Sequence, residues 1–408
     1  MPTDRDQLAP RDKGIGAPRQ RSEIRAARPE LFSADFAPPF LVLRDSAIEH
    51  NLQLMRAWAE HHRSDLAPHT KTSMAVDLLR RQLSAGAWGA TVASVQQAAA
   101  LVGNGVRQIL IANEVVDPAG LRWVAAAAEQ GLDVWLFVDS LEGVQLLSRV
   151  AKASSRVGVL VEIGVAGARA GCRDKPSAMD VARAAATATG VRLHGVATFE
   201  GVLGIADVDR VKQLLRLVVD VAETADAEAL LPEAGAVLSA GGSIFFDLAS
   251  DILRSARLRR PPVVLLRSGC YLTHDSGFYD EMSPWGSQRG TDHRLRPAME
   301  LWAAVLSRPE PTRLILGFGK RDASYDLGLP IPVQIRNEYA ALRATHRWTV
   351  TALNDQHAMV DLPAEDPAKV GDLVQLGLSH PCTAFDKWRH VLLVDDDDRV
   401  IDVLPTAF

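Results

Sequence analysis

Lys71 stands in the run Pro68-His69-Thr70-Lys71-Thr72, between a short apolar stretch and a helix-like one. Only eight of the chain's 45 cationic side chains are lysines, so arginine carries the surface charge and a lysine at a strand end invites a chemical question. Arginine keeps its proton, whereas a desolvated lysine can become a neutral amine able to form an imine with an aldehyde. Taken alone, the spacing suits a loop lysine at the surface as well as a nucleophile. Two glycine-bearing stretches, "SAGGS" (Ser239, Gly241, Gly242 and Ser243 among them) and "RSGCY" (with Gly269 and Tyr271), fit a phosphate held by backbone N–H groups. Lysine and cup together point to a phosphorylated aldehyde, for which pyridoxal 5'-phosphate is the candidate. Far downstream, His380 and Cys382 lie two residues apart. In an extended segment both would leave the same face, a soft N/S pair suited to zinc, with manganese as the other candidate. Two ligands are too few for a structural site. They suit a catalytic site completed by water and substrate, or else a core histidine beside a buried cysteine.

These residues need elements to place them. From about residue 66 to 274, short apolar runs alternate with amphipathic or alanine-rich segments, several closed by glycine. The expected strands are 66–71, 89–94, 108–113, 133–139, 157–164, 193–200, 236–242 and 263–269. Strands alternating with helices imply parallel pairing, in an open doubly wound sheet or a closed (β/α)8 TIM barrel. Polar residues recur at the strand ends: His69 and Lys71, Ser94, Asn113, Asp139, Arg169, Glu200, and both glycine stretches. A barrel would gather those ends at one mouth, which favours the closed form. Beyond residue 275 the texture becomes β-like, with "DDDD" at 395–398 reading as a solvated hairpin turn. The expected organisation is a flexible N-terminal arm over 1–35, the barrel over 36–280, and a C-terminal β domain with the metal pair over 281–408. The strand and helix in 40–62 are candidates to pair the N-terminus with the β domain.

The formal net charge of −5 and pI near 6.1 argue against nucleic-acid binding, and no apolar run is long enough to span a membrane. Cys172, Cys270 and Cys382 are odd in number and widely spaced, which fits reduced thiols in a cytoplasm. The arginine-rich first 35 residues lack the apolar core of a signal peptide.

With these features in hand, the chain from about residue 38 onward resembles the fold-type III pyridoxal-phosphate enzymes, and within them the D-serine dehydratase and D-threonine aldolase group. "PPFLVLRDSAIEHNLQLM" resembles the family's opening strand and helix, "PHTKT" its cofactor-lysine motif, and "VEIGVAGARAGCR" the segment whose arginine, here Arg169, faces the cofactor. "FEGVLG", with Glu200, resembles the next strand end; "SAGGS" and "RSGCY" resemble the phosphate cup. "SHPC" resembles the dehydratases' His-x-Cys zinc pair, where aldolases are expected to carry His-x-Asp. The longer run through residue 94 is most similar to the subgroup labelled amino-acid deaminases. The resemblance implies an alanine-racemase-like barrel followed by a β domain, working as a homodimer on a D-amino acid. Lys71 would hold the cofactor and later take the α-proton, and His380 with Cys382 would hold the metal that activates a β-hydroxyl. The implied activity is D-serine dehydratase or 3-hydroxy-D-amino-acid deaminase, releasing a keto acid and ammonia. A D-threonine or 3-hydroxy-D-aspartate aldolase is the second reading. A non-catalytic pyridoxal-phosphate carrier is the third, and it would need neither the β domain nor a metal pair. This chain has Ser73 where much of the family has histidine, and "NDQHA" keeps Asp355 and His357 but has Ala358 in place of glycine. Ser73, Tyr279, Asp355 and His357 are therefore the substrate-site candidates.

Overall fold

Residues 6–154, 157–204, 207–287, 289 and 293–408 are described by a computed structural model. The chain divides into two compact units, Met55–Lys71 with Leu78–Gly269, and Met1–Leu54 with Thr72–Asp77 and Cys270–Phe408. It passes from one to the other at the Lys71–Thr72 and Gly269–Cys270 peptide bonds, among others.

The first unit is the barrel. Its strands are β1 (Asp65–Leu66), β2 (Ala90–Val92), β3 (Gln108–Glu114), β4 (Asp133–Val138), β5 (Val157–Ile163), β6 (Val191–Thr198), β7 (Val237–Ala240) and β8 (Val263–Leu266). They lie in the order β1-β8-β7-β6-β5-β4-β3-β2, and every pairing is parallel. Closure comes from a parallel bridge between His69 and Thr91, with Trp88 N–H donating to Leu66 O and Thr91 N–H to Pro68 O. Burial on both faces explains why strands such as Val157–Ile163 read as continuous apolar runs. Ser94, Asp117, Ser140 and Asp174 cap the helices that follow β2, β3, β4 and β5, each accepting a backbone N–H in the first turn. Ala67, Leu110, Trp135, Phe137, Leu160, Ala197, Val237 and Leu265 pack as one core. Gly158 makes room for Trp135, since a Cβ there would stand 2.3 Å from the indole. The expected strand 66–71 is shorter in the structure. Pro68 offers no N–H to a ladder, and residues Thr70–Thr72 turn into a 3-10 helix that carries Lys71.

The second unit holds a ten-stranded sheet. Strands β9 (Met299–Glu310), β10 (Arg313–Leu316), β11 (Ile331–Arg336), β12 (Leu342–Ala344), β13 (Thr349–Leu353), β14 (Ala358–Asp361) and β15 (Leu373–Gly377) run in the order β12-β11-β15-β9-β10-β14-β13. The N-terminal strand Phe40–Arg44 pairs antiparallel with β9 and parallel with β16 (His390–Val394), which forms a hairpin with β17 (Val400–Pro405). The strand expected in 40–62 thus belongs to the β sheet, not to a barrel beginning at residue 36. Asp395–Asp398 is the turn of the last hairpin, held by Arg44, which donates to Asp395 O and Asp398 Oδ1.

The described part of the expected flexible arm is docked; its residues 1–5 lie outside the described residues. Leu8, Ile15, Ile24 and Leu31 are each 3 % exposed or less and share a core with Phe40, Trp302 and Val403. Arg21 and Arg25 both bind Asp402, at 2.8 and 2.7 Å, and Arg21 also reaches Asp77 at 2.5 Å. Four apolar anchors scattered among charges leave no periodicity for a sequence reading to find. Among the described residues, no helix is long and apolar enough to cross a membrane.

Candidate active site

In the barrel unit, Lys71 is half-buried on the Thr70–Thr72 turn, two residues after His69. His69 is half-buried, with its Nδ1 turned away from solvent. Burial first, then the charges of Lys71 and Arg267, hold its pKa well below the ordinary histidine value, so it is a neutral imidazole. Its Nδ1 is buried without a hydrogen-bond partner. Arg267, one residue past β8, is buried over the Phe137 ring at 5.2 Å and donates to Ser239 Oγ (2.5 Å) and Thr198 O (2.6 Å). Burial lowers its pKa to about 10, against the carboxylates of Glu200 and Glu162. Arg169 lies on the exposed loop after β5, its guanidinium 5.1 Å over Phe199, and its charge adds to the positive field at His69 and Arg267.

The glycine cup differs from expectation. Ser239 Oγ donates to Leu265 O at 2.8 Å and accepts from Arg267, so it braces the strand ends and is committed there. Gly241 has φ +93°, a conformation that disfavours side chains, and a Cβ on it would meet Leu266 at 2.8 Å. The N–H groups of Gly241 and Gly242 donate to the Glu200 carboxylate at 3.2 and 2.5 Å. Glu200 is fully buried and its pKa is raised by that burial, against the stabilising amides and Arg267. Ser268 Oγ locks the turn from behind, donating to Gly241 O at 2.9 Å. Two adjacent amides that already hold a carboxylate form an anion-binding nest. Ser243 and Gly269 are half-buried in the flanking loops. A half-buried amine, an orphaned neutral imidazole and an anion nest together suit pyridoxal phosphate: Lys71 would take the aldehyde and the nest the phosphate, with Glu200 ceding its amides.

In the other unit, His380 and Cys382 are not on an extended segment. His380 has φ +58° and caps the short helix Pro381–Phe385, whose first turn contains Cys382. Pro381 sets that helix start. The two side chains still meet, joined by a hydrogen bond that raises the His380 pKa and lowers that of Cys382. For His380 that contact and Asp326 outweigh burial. Asp326 Oδ2 lies 2.5 Å from His380 Nδ1, and Thr383 Oγ1 donates to Asp326 Oδ1 at 2.7 Å. A carboxylate on one ring nitrogen orients the other for a metal. Cys382 is held well below the usual thiol range, chiefly by a hydrogen bond from Cys270 and then by His380 and Thr72, against burial. Asp275 anchors the region: it accepts the N–H groups of Gly277, Tyr279, Asp280 and His380 at 2.8 to 3.2 Å. The imidazole–thiolate pair has the donor chemistry for zinc. Among the described residues, no group of three or more His, Cys, Asp or Glu side chains could hold a metal ion.

The substrate-site candidates separate. Tyr279 joins this cluster: its ring lies 6.4 Å from that of His380, and its phenol is pushed up by Cys270 and by burial. Tyr271 is buried nearby in sequence, 2 % exposed. Ser73 is buried and spends its Oγ accepting from Ala75 N–H at 3.3 Å, a turn role. Asp355 and His357 are exposed on the turn between β13 and β14. Asp355 lies 3.8 Å from Arg321 and lines a cavity of about 570 Å3 with Lys13, Lys320 and Lys387. Neither joins the His380 cluster. Sequence reasoning passed over Arg267, Thr72, Cys270, Asp275 and Asp326, although Arg267 and Cys270 sit inside the quoted "RSGCY".

Comparison with known proteins agrees with this fold. Residues 44–276 match the family model "Alanine racemase, N-terminal domain", and residues 298–394 match "Putative serine dehydratase domain". The chain is 28 % identical over 366 residues to a D-threonine aldolase of Arthrobacter sp, covering 88 % of this chain and 89 % of the relative. Among solved structures it is similar to the D-threonine aldolase of Filomicrobium marinum, with TM-score 0.77, 24 % identity, and coverage of 91 % of this chain and 95 % of that one. It is also similar to the D-threo-3-hydroxyaspartate dehydratase of Delftia sp. HT23, with TM-score 0.67, 20 % identity, and coverage of 91 and 97 %. That dehydratase has also been solved with a histidine and, two positions on, a cysteine each replaced by alanine, the cysteine variant in a metal-free form. With residues 44–276, more than half of its length, matched by the alanine-racemase family model, the chain belongs to the alanine-racemase-like, fold-type III pyridoxal-phosphate enzymes.

Proposed function

We propose that the protein is a pyridoxal-phosphate- and zinc-dependent lyase that removes the β-hydroxyl of a 3-hydroxy-D-amino acid, D-serine among them, giving a 2-keto acid and ammonia. The observation that carries the dehydratase reading is the thiolate-disposed Cys382 against His380, where an aldolase would be expected to place a carboxylate. A D-threo-3-hydroxyaspartate dehydratase, of which a cysteine-to-alanine variant has been solved in the metal-free form, is among the similar structures and supports it. Lys71 would hold the cofactor and serve as the base at Cα, and the neutral His69 beside it offers an unspent buried Nδ1. When bound, pyridoxal phosphate supplies an electron sink for negative charge at Cα. Arg267 and the Gly241–Gly242 amides supply fixed positive potential for its anionic groups. His380 and Cys382 would hold zinc, whose chemistry is Lewis-acid activation of the hydroxyl, and Asp326 would fix the imidazole. Tyr279 stays protonated and is a hydrogen-bond donor beside the thiols.

The aldolase relatives keep a second reading open, carbon–carbon cleavage to glycine and an aldehyde. One assay separates the two. Purified protein with pyridoxal phosphate, and with zinc or manganese, is given D-serine, D-threonine and 3-hydroxy-D-aspartate. Keto acid with equimolar ammonia is expected; glycine with aldehyde would replace the dehydratase reading by the aldolase one. A homodimer in the cytoplasm is part of the same proposal, and sedimentation tests the first half.

A further inference from the structure

Two of the three cysteines, 112 residues apart in sequence, meet within one unit, with Sγ to Sγ 3.7 Å. Thr72 Oγ1 bridges them, 3.4 Å from Cys382 and 3.8 Å from Cys270. The third, Cys172, is elsewhere and donates to Asp139 O at 3.3 Å. In the lyase reading Cys270 touches neither cofactor nor metal and serves only as a neighbour of Cys382. The pair is unequal: Cys382 is half-buried, whereas Cys270 is 5 % exposed. A more accessible sulfur touching a shielded one is the arrangement of a peroxide-reactive cysteine beside its resolving partner. The sulfurs are at van der Waals contact, and closing to the roughly 2.05 Å of a disulfide takes a movement under about 2 Å.

We propose that Cys382 and Cys270 form a reversible intrachain disulfide in response to hydroperoxides, a modification that removes Cys382 from its pairing with His380. The Cys382 sulfur attacks one oxygen of hydrogen peroxide; the O–O bond breaks, leaving a sulfenic acid and releasing water. The Cys270 sulfur then attacks the sulfenic sulfur; the S–O bond breaks and a second water leaves with the Cys270 proton. Two thiols lose two electrons and the peroxide gains them. Loss of the thiolate would release the metal, a consequence that rests on the zinc reading, whereas the disulfide does not.

The test titrates reduced, metal-loaded protein with hydrogen peroxide, following free thiols in denaturant, non-reducing peptide maps and bound zinc. Thiols are expected to fall from three per chain to one, with Cys270 and Cys382 peptides joined within a chain and separated again by dithiothreitol. In Cys270→Ser, Cys382 should pass to sulfinic acid and lose reversibility. Wild-type protein that keeps all three thiols, or that takes Cys382 to sulfinic acid while Cys270 stays alkylatable, would overturn the proposal. A disulfide that forms in protein able to bind no zinc would instead leave the thiol pair standing and sink the metal reading.

Discussion

One residue, Thr70, separates His69 from Lys71, and both are half-buried. Desolvation of the ring and two neighbouring cations favour a neutral His69, and Lys71 sits on the Thr70–Thr72 turn beside it. Replacing Lys71 by alanine should therefore abolish the visible absorbance of bound cofactor and all turnover. Arginine should fail equally, because it restores charge but cannot form an imine; a retained cofactor band in either variant would identify another lysine. In the second unit, Cys382→Ala should lose zinc by metal analysis, since one imidazole remains as protein donor. Cys382→Asp should restore metal binding while shifting preference from zinc toward manganese, as a harder oxygen replaces sulfur. Unchanged zinc in Cys382→Ala would place the metal elsewhere. His380 and Cys382 stood out because their types carry chemistry two positions apart, and Lys71 because it is a rare lysine inside a short motif. Arg267, Cys270 and Asp326 did not, because each acquires its meaning from a contact made dozens or hundreds of residues away.

Elements were legible in proportion to how locally they are specified. The barrel strands announce themselves as doubly buried apolar runs, and the helices that follow four of them begin at Ser or Asp caps. The turn after β7 is equally local: Gly241→Ala would force a side chain into φ +93° and against Leu266. About 1–3 kcal/mol of stability should be lost, with weaker cofactor binding, measured by thermal melting and by fluorescence titration with pyridoxal phosphate. The N-terminal segment is the opposite case, held by four isolated apolar anchors and by carboxylates distant in sequence, among them Asp77, Asp322 and Asp402. Asp402 is drawn below the usual carboxylate range: burial raises it, but Arg25 and Arg21 outweigh burial. A depressed folded-state pKa stabilises the protein above the unfolded value near 3.9 and is lost as pH falls through the folded value. Asp402→Asn should thus cost roughly 3 kcal/mol near neutrality. The cost should shrink as pH drops below about 4, where the wild type loses the same contribution; a difference constant with pH would mean the ion pairs contribute nothing.

At the scale of the molecule, the two sets of functional groups fall on different sides of the chain's own division. Lys71, His69, Glu200, the Gly241–Gly242 nest and Arg267 belong to the barrel unit; Thr72, Cys270, Asp275, Tyr279, Asp326, His380 and Cys382 belong to the other. A ligand stabilises the unit whose native form it binds, by about 2.7 kcal/mol at a hundred times its dissociation constant. Removing each cofactor separately should then loosen different segments. Without pyridoxal phosphate, amide exchange should accelerate in the Thr70–Thr72 turn and after β6, β7 and β8, the loops that carry Lys71, Glu200, the Gly241–Gly242 amides and Arg267. With the metal chelated, protection should fall around 270–282 and 379–386, where one carboxylate, Asp275, gathers four backbone amides and positions His380. The converse segments should change little. Hydrogen exchange on the loaded protein, the chelated protein and the cofactor-stripped protein distinguishes this from a single cooperative response, in which either removal would accelerate exchange across both units alike and the division of labour drawn here would fail.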